Sequence, residues 1–126
     1  MKDARTSYST GRASETHAAA YLRDLGYRIL AKNVRCPGGE LDLVAEDDGV
    51  LVFVEVRARR SGVFGDAAES IGSQKRRRTI QAAESYLQEH PADADRPSRI
   101  DVVAIQLGGR GQVIALELIR NALEPQ

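Results

Sequence analysis

Two apolar runs dominate the middle of the chain, ELDLVA (40–45) and VLVFVEVRA (50–58), separated by the acidic stretch EDDG (46–49). Val, Leu and Phe crowd both runs, and such runs bounded by turn residues read as strands. YRILAKNV (27–34), RIDVVAIQL (99–107) and QVIALELI (112–119) have the same character, with CPGG (36–39) and GGRG (108–111) as turns. Elsewhere the period lengthens. In RASETHAAAYLRDL (12–25), Ala18, Leu22 and Leu25 recur at spacings of four and three, which makes one apolar helix face, and Gly26 offers its stop. A second helix is predicted over 74–90, with Ser73 as N-cap and Ile80, Ala83 and Leu87 as its stripe. Segments 61–72 and 91–98 read as loops.

Residues 1–10 are polar without periodicity and read as a loose tail, and 121–126 as a short C-terminal tail. One domain remains over 11–120, in the order helix, three strands, helix, two strands. That order predicts an α/β domain with a mixed five-stranded sheet flanked by helices. The connection from the third strand through the second helix is long enough for a parallel crossover to the fourth.

Charges sit in awkward places on this frame. Alternation puts Glu40, Asp42 and Val44 on one face of the second strand, opposite Leu41, Leu43 and Ala45. In the third strand Leu51, Phe53, Glu55 and Arg57 share a face. Asp48-Gly49 is a strong two-residue hairpin signal, so Asp47 pairs with Val50. The same register sets Asp42 opposite Glu55 and Glu40 opposite Arg57. Directly opposed carboxylates destabilise a sheet, but a divalent cation between them reverses the sign, because hard cations take oxygen ligands. Glu15 lies three residues before Ala18, at the head of a stripe that faces the sheet, within reach of the same acidic site. Carboxylates that hold Mg²⁺ (or Mn²⁺), beside a basic side chain, suit phosphodiester hydrolysis. The ion lowers the pKa of a bound water, and the basic group stabilises charge on the phosphate.

Composition narrows the partners. With 18 basic and 18 acidic residues the net charge is zero, which argues against a generic polyanion binder but not against a local patch. Two such clusters exist: Arg57, Arg59 and Arg60, and Lys75 to Arg78. Basic residues in a first helical turn oppose the dipole and call for an anion nearby, such as phosphate. No apolar run approaches the roughly 18 residues of a membrane span, and the N-terminus lacks the apolar core of a secretory signal. With one cysteine, Cys36, an internal disulfide is impossible, and a cytoplasmic location is expected. His17 and His90 have no zinc-spaced partners. There is neither a P-loop nor a GxGxxG motif. Without Trp, a base-stacking platform is weakly supported. Asp101, inside an apolar strand, reads as a buried, hydrogen-bonded structural acid.

The set Glu15, GELDL (39–43) and VFVEVRAR (52–59), with FGDA (64–67), QKRRR (74–78) and RIDVVAI (99–105), resembles the PD-(D/E)XK nuclease superfamily. More narrowly, the chain is similar to the YraN-like family of uncharacterised bacterial proteins, related to archaeal Holliday junction resolvases. The likeness runs from about Gly11 to Ile119. It implies a restriction-endonuclease-like fold, with Asp42 and Glu55 as metal ligands and the Val56 backbone carbonyl as a further ligand. By the same resemblance Glu15 binds the metal or its water, and Arg57 stands at the motif's lysine. Gln74 and Lys75 match the helix start that contacts substrate or the attacking water. Arginine stays charged in proteins, so Arg57 stabilises charge and is not a general base. The superfamily's proline-aspartate pair is Leu41-Asp42 here.

The expectation is therefore a Mg²⁺-dependent endonuclease-like protein acting on structured or branched DNA. Lys75, Arg76, Arg59 and Arg60 would hold the backbone beside Gln74. Resemblance and the two-fold symmetry of a junction lead one to expect a homodimer. Two alternatives stay open: a catalytically silent nucleic-acid-binding module of the same fold, and a protein-interaction domain.

Overall fold

A computed structural model describes residues 4–60 and 72–123, with side chains from Ala13 onward. The elements are α1 (Ala4–Asp24), β1 (Arg28–Cys36), β2 (Gly39–Asp47), β3 (Val50–Arg60), α2 (Ser73–Glu89), β4 (Ser98–Leu107) and β5 (Val113–Ile119). A short 3-10 turn, Pro91–Asp93, follows α2. The expected loop over 61–72, with FGDA, lies outside the described residues except for Gly72.

One five-stranded sheet carries the fold, in the order β1-β2-β3-β4-β5. Its pairings are antiparallel except β3 with β4, which is parallel, so α2 lies on the expected crossover. The strand alternation sorts two cores. Leu41, Val44, Leu51, Phe53, Ile100 and Val102 pack with Ala82, Ala83 and Tyr86 of α2. On the other face Leu43, Ala45, Val52, Val54, Val103 and Ile105 pack with Ala18, Ala19 and Leu22 of α1. Phe53 meets Tyr86 edge-on, with ring centroids 5.5 Å apart. Burying a side chain such as Phe53 contributes about 1.5–3 kcal/mol.

Several details depart from the pattern. α1 begins at Ala4, inside the segment expected to be a tail. Its N-terminal turns have no apolar period, but elongation costs little once an amphipathic stretch has nucleated a helix. Leu25 is 47% exposed rather than part of the stripe. The chain has already left the helix there. Gly26 (φ 98) donates to the Arg23 carbonyl and Tyr27 to that of Leu22, the paired bonds of a Schellman cap. Tyr27 is buried in place of Leu25. On α2, Gly72 rather than Ser73 is the N-cap, with no side-chain cap bond. Leu41 joins the core on the α2 side together with Val44, so strict alternation fails near the start of β2. At the C-terminus Leu123 is 1% exposed and the Ala122 N–H donates to the Ile100 carbonyl, so the chain still packs against β4 at 122–123, inside the segment expected to be a tail.

Asp101 is the buried structural acid expected. Its Oδ2 accepts from the Tyr27 hydroxyl at 3.0 Å, and its Oδ1 accepts from Arg99 Nε and the Asn121 N–H, both at 2.9 Å. Arg99 also donates to Asp47 at 2.8 Å. The network ties the hairpin end of β2 to β4 and to the start of β1.

β2 enters directly against α2. A Cβ on Gly39 would fall 2.8 Å from the Arg78 carbonyl oxygen and 3.5 Å from Ala82 Cβ. Backbone cannot yield as a flexible side chain can, so Gly39→Ala should cost about 1–3 kcal/mol, as overpacking does. Urea denaturation checks this; an unchanged midpoint would mean that β2 and α2 are not in such close approach.

Candidate functional site

The predicted hairpin register is observed. β2 and β3 pair from Asp47–Val50 to Leu43–Val54, and there their ladder ends. Beyond it β2 stays with β1, down to the pairing of Gly39 with Cys36. β3 stays with β4, out to the pairing of Arg60 with Leu107. The two strands thus part, each following its outer neighbour. Asp42 and Glu55 are the first residues past this fork.

The fork explains the local bonding. The Val56 N–H donates to Asp42 Oδ2 at 2.9 Å, so a side chain stands where a backbone acceptor would continue the ladder. N–H and C=O of one strand residue face the same neighbour, so the Val56 carbonyl is directed to the same gap. Glu55 is only 2% exposed. Its Oε2 accepts from Lys75 Nζ at 3.1 Å, across from the first turn of α2. Its Oε1 is buried with no hydrogen-bond partner among the described residues. Buried polar atoms without partners are uncommon, and each asks for an explanation.

Electrostatics agree with the geometry. Burial above all, then the nearby Asp42 charge, pushes the Glu55 carboxyl up to about 7, against the opposing pull of Lys75. Burial also raises Asp42, opposed by the Val56 N–H and Lys75 and reinforced by the charge of Glu40. The two carboxyl groups share the gap unequally: the Asp42 charge makes Glu55 harder to ionise, while a hydrogen bond from a protonated Glu55 favours the Asp42 carboxylate. A divalent cation would remove that penalty. The donor set that fits it is Asp42, Glu55 with its spare Oε1, and the Val56 carbonyl. Mg²⁺ commonly takes one or two carboxylates and completes its shell with water and phosphate oxygens.

The remaining candidates fall around this pair in different ways. Arg57 follows Glu55 on the same strand face, half-buried, and its Nε lacks a partner among the described residues. Arg76 is half-buried with its Nε in the same condition, while Gln74 is exposed one residue before Lys75. Arg59 is half-buried and Arg60 exposed at the far end of β3. Glu40 does not oppose Arg57. The fork removes that register, and Glu40 pairs across β1 with Arg35, an exposed contact at 3.8 Å. Glu15 lies half-buried on α1, which packs on the sheet face away from α2. Among the described residues no cluster of three or more His, Cys, Asp or Glu is suited to a metal ion, so Glu15 is not gathered with Asp42 and Glu55.

Two features escaped the sequence pattern. Lys75 makes a direct contact with Glu55, and the signal for it was a first turn with basic residues and no acid. Gly39, taken only as part of a turn, is what lets the acidic strand lie close to α2.

Among the described residues no helix is long and apolar enough to cross a membrane. The family described as "Uncharacterised protein family UPF0102" matches residues 14–105, which spans the carboxylate pair, the fork and Lys75. A UPF0102 protein of Pseudomonas entomophila is 49% identical over 125 residues, covering 98% of this chain and 99% of that relative. One from Roseiflexus castenholzii is 49% identical over 110 residues, covering 87% and 89%. A third, from Pseudomonas aeruginosa, is 44% identical over 124 residues, covering 98% and 99%. With a family match over most of its length and relatives this similar from end to end, the chain belongs to the UPF0102 family.

Proposed function

We propose that the chain is a metal-dependent endonuclease of the PD-(D/E)XK, restriction-endonuclease-like kind, acting on structured or branched DNA. The observation that carries this reading is Glu55 Oε1, a buried carboxylate oxygen without a partner, beside Asp42 at the fork between β2 and β3. Among the described residues the other buried side-chain atoms without a partner are Nε of Arg57, two residues further along β3, and Nε of Arg76, next to Lys75. In this reading Asp42, Glu55 and the Val56 carbonyl hold Mg²⁺ or Mn²⁺, which supplies the activated water. Arg57 stabilises charge on the phosphate, and Glu15 on α1 assists through the metal's bound water. Gln74, Lys75, Arg76, Arg59 and Arg60 contact the backbone of the nucleic acid, a sequence-tolerant mode of binding. A homodimer would match the two-fold symmetry of a branched substrate.

Incubation with branched and linear DNA and Mg²⁺ or Mn²⁺ tests it. Cleavage is expected with the ion and not with chelator, and Asp42→Asn should lower the rate by about two orders of magnitude or more. No cleavage with either ion, together with DNA binding that Asp42→Asn leaves unchanged, would sink the enzyme reading.

A second reading has its own observation. The Lys75 ammonium already sits on Glu55, and the cation at position 57 is an arginine that keeps its proton, which favours a silent nucleic-acid-binding module. Both readings require phosphate contacts. Lys75→Ala and Arg76→Ala should each reduce the slope of log affinity against log salt by about 1. A slope that neither substitution alters would remove α2 from the interface.

The metal-free protein should also respond to pH through Glu55. Its folded pKa of about 7 lies above the ordinary 4.5, so the folded state binds more protons. This group therefore favours unfolding progressively as pH rises from about 4.5 through about 7. In chelator, thermal stability should fall between about pH 5 and pH 8, and Glu55→Gln should flatten the fall and stabilise the protein at the upper end. Parallel curves for the two proteins would remove Glu55 as the cause.

A further inference from the structure

We propose that Lys75 is a built-in counter-ion of the Asp42–Glu55 pair, which an entering divalent cation displaces. The inference rests on the reading of that pair as a metal centre. Lys75 Nζ lies 3.1 Å from Glu55 Oε2, and the two side chains differ sharply in exposure, 45% for Lys75 and 3% for Glu55. The carboxylate is fixed inside the fold, and the ammonium reaches it from the solvent side. Nothing on α2 itself favours a cation there. The helix has no acidic residue in its first turn and no side-chain cap, and its N-terminal dipole repels positive charge. Glu55 is therefore what draws Lys75 inward.

Glu55 Oε1 remains without a partner, so one oxygen is open to an ion while the other is held by the ammonium. A divalent ion at the pair would sit within a few ångströms of Nζ, and like charges at that range repel strongly even where water screens them. The four-carbon stem of lysine is flexible and its half-exposed path to solvent is open, so the ammonium can leave without moving α2. Arg57 is half-buried on the strand, one step past Val56, and its backbone is held in the β3–β4 pairing.

Calorimetric titration of Mn²⁺ without DNA tests this on the wild type, Lys75→Gln, Lys75→Arg, Asp42→Asn and the double variant Asp42→Asn/Lys75→Gln. Lys75→Gln should bind Mn²⁺ at least about fivefold more tightly than wild type, since a partly screened repulsion is removed. Lys75→Arg, which keeps the charge, should restore wild-type affinity within about twofold. Asp42→Asn should abolish binding in both backgrounds. Binding that appears only when Lys75 is Gln and is lost in the double variant also supports the proposal. Equal or weaker binding by Lys75→Gln, with Asp42-dependent binding in wild type, overturns the counter-ion role and leaves the metal centre standing. Absence of Asp42-dependent binding in both wild type and Lys75→Gln overturns both.

Discussion

β3 cannot follow two neighbours at once, and the site exists because of that constraint. It is the longest strand, with 11 residues, and it runs in register with β4 over ten positions, from Leu51 with Ser98 to Arg60 with Leu107. Leu51, Val52, Phe53 and Val54 are buried on alternating faces, in both cores. At about 1.5–3 kcal/mol for each such side chain, this segment is far too well packed to shift toward β2. β2 in turn is drawn to β1 and, through Gly39, to α2. The gap that opens past Leu43 and Val54 is the cost of satisfying both sets of contacts, and acidic side chains line it.

Asp101 and Glu55 make a useful contrast, since both are buried acids on central strands. Asp101 has donors on both oxygens, from Tyr27, Arg99 and Asn121, and Arg99 is in turn shared with Asp47. Removing one partner of such a buried set costs about 3–5 kcal/mol, which is reason enough for its presence. Glu55 has a donor on one oxygen only, and that donor is a half-exposed lysine. Burial alone would have marked both residues. The incomplete hydrogen bonding is what separates a site from a structural clamp.

Much of the frame was legible because local chemistry dictated it. Asp48 and Gly49 both adopt positive φ, 52° and 86°, as a tight hairpin turn requires, and this fixed the register that brings Asp42 and Glu55 together. The parallel crossover followed from the length of a helix. Other features depend on contacts remote in sequence and left no local mark. The end of the β2–β3 ladder is set by β1 and β4, so Glu40 finds Arg35 instead of Arg57. Leu41 changes sides near the same irregular region. Leu123 is buried only because the chain returns past Ile100. The reach of Lys75 depends on how closely α2 lies over β2, and a glycine in a turn gave no hint of that closeness.

The placement of cations bears on how much weight Arg57 can carry against enzymatic activity. A nuclease site of the proposed kind needs positive charge near two carboxylates, and part of that charge must respond when an ion or phosphate arrives. An arginine on the strand supplies a permanent charge in a half-buried place, and it keeps its proton. Those duties do not have to fall on the same position. Lys75 brings a compact ammonium from the helix to the same carboxylate, on a stem long enough to withdraw. In the proposed reading Lys75 is the cation that can yield at the pair, and an arginine at 57 does not take that part away from it.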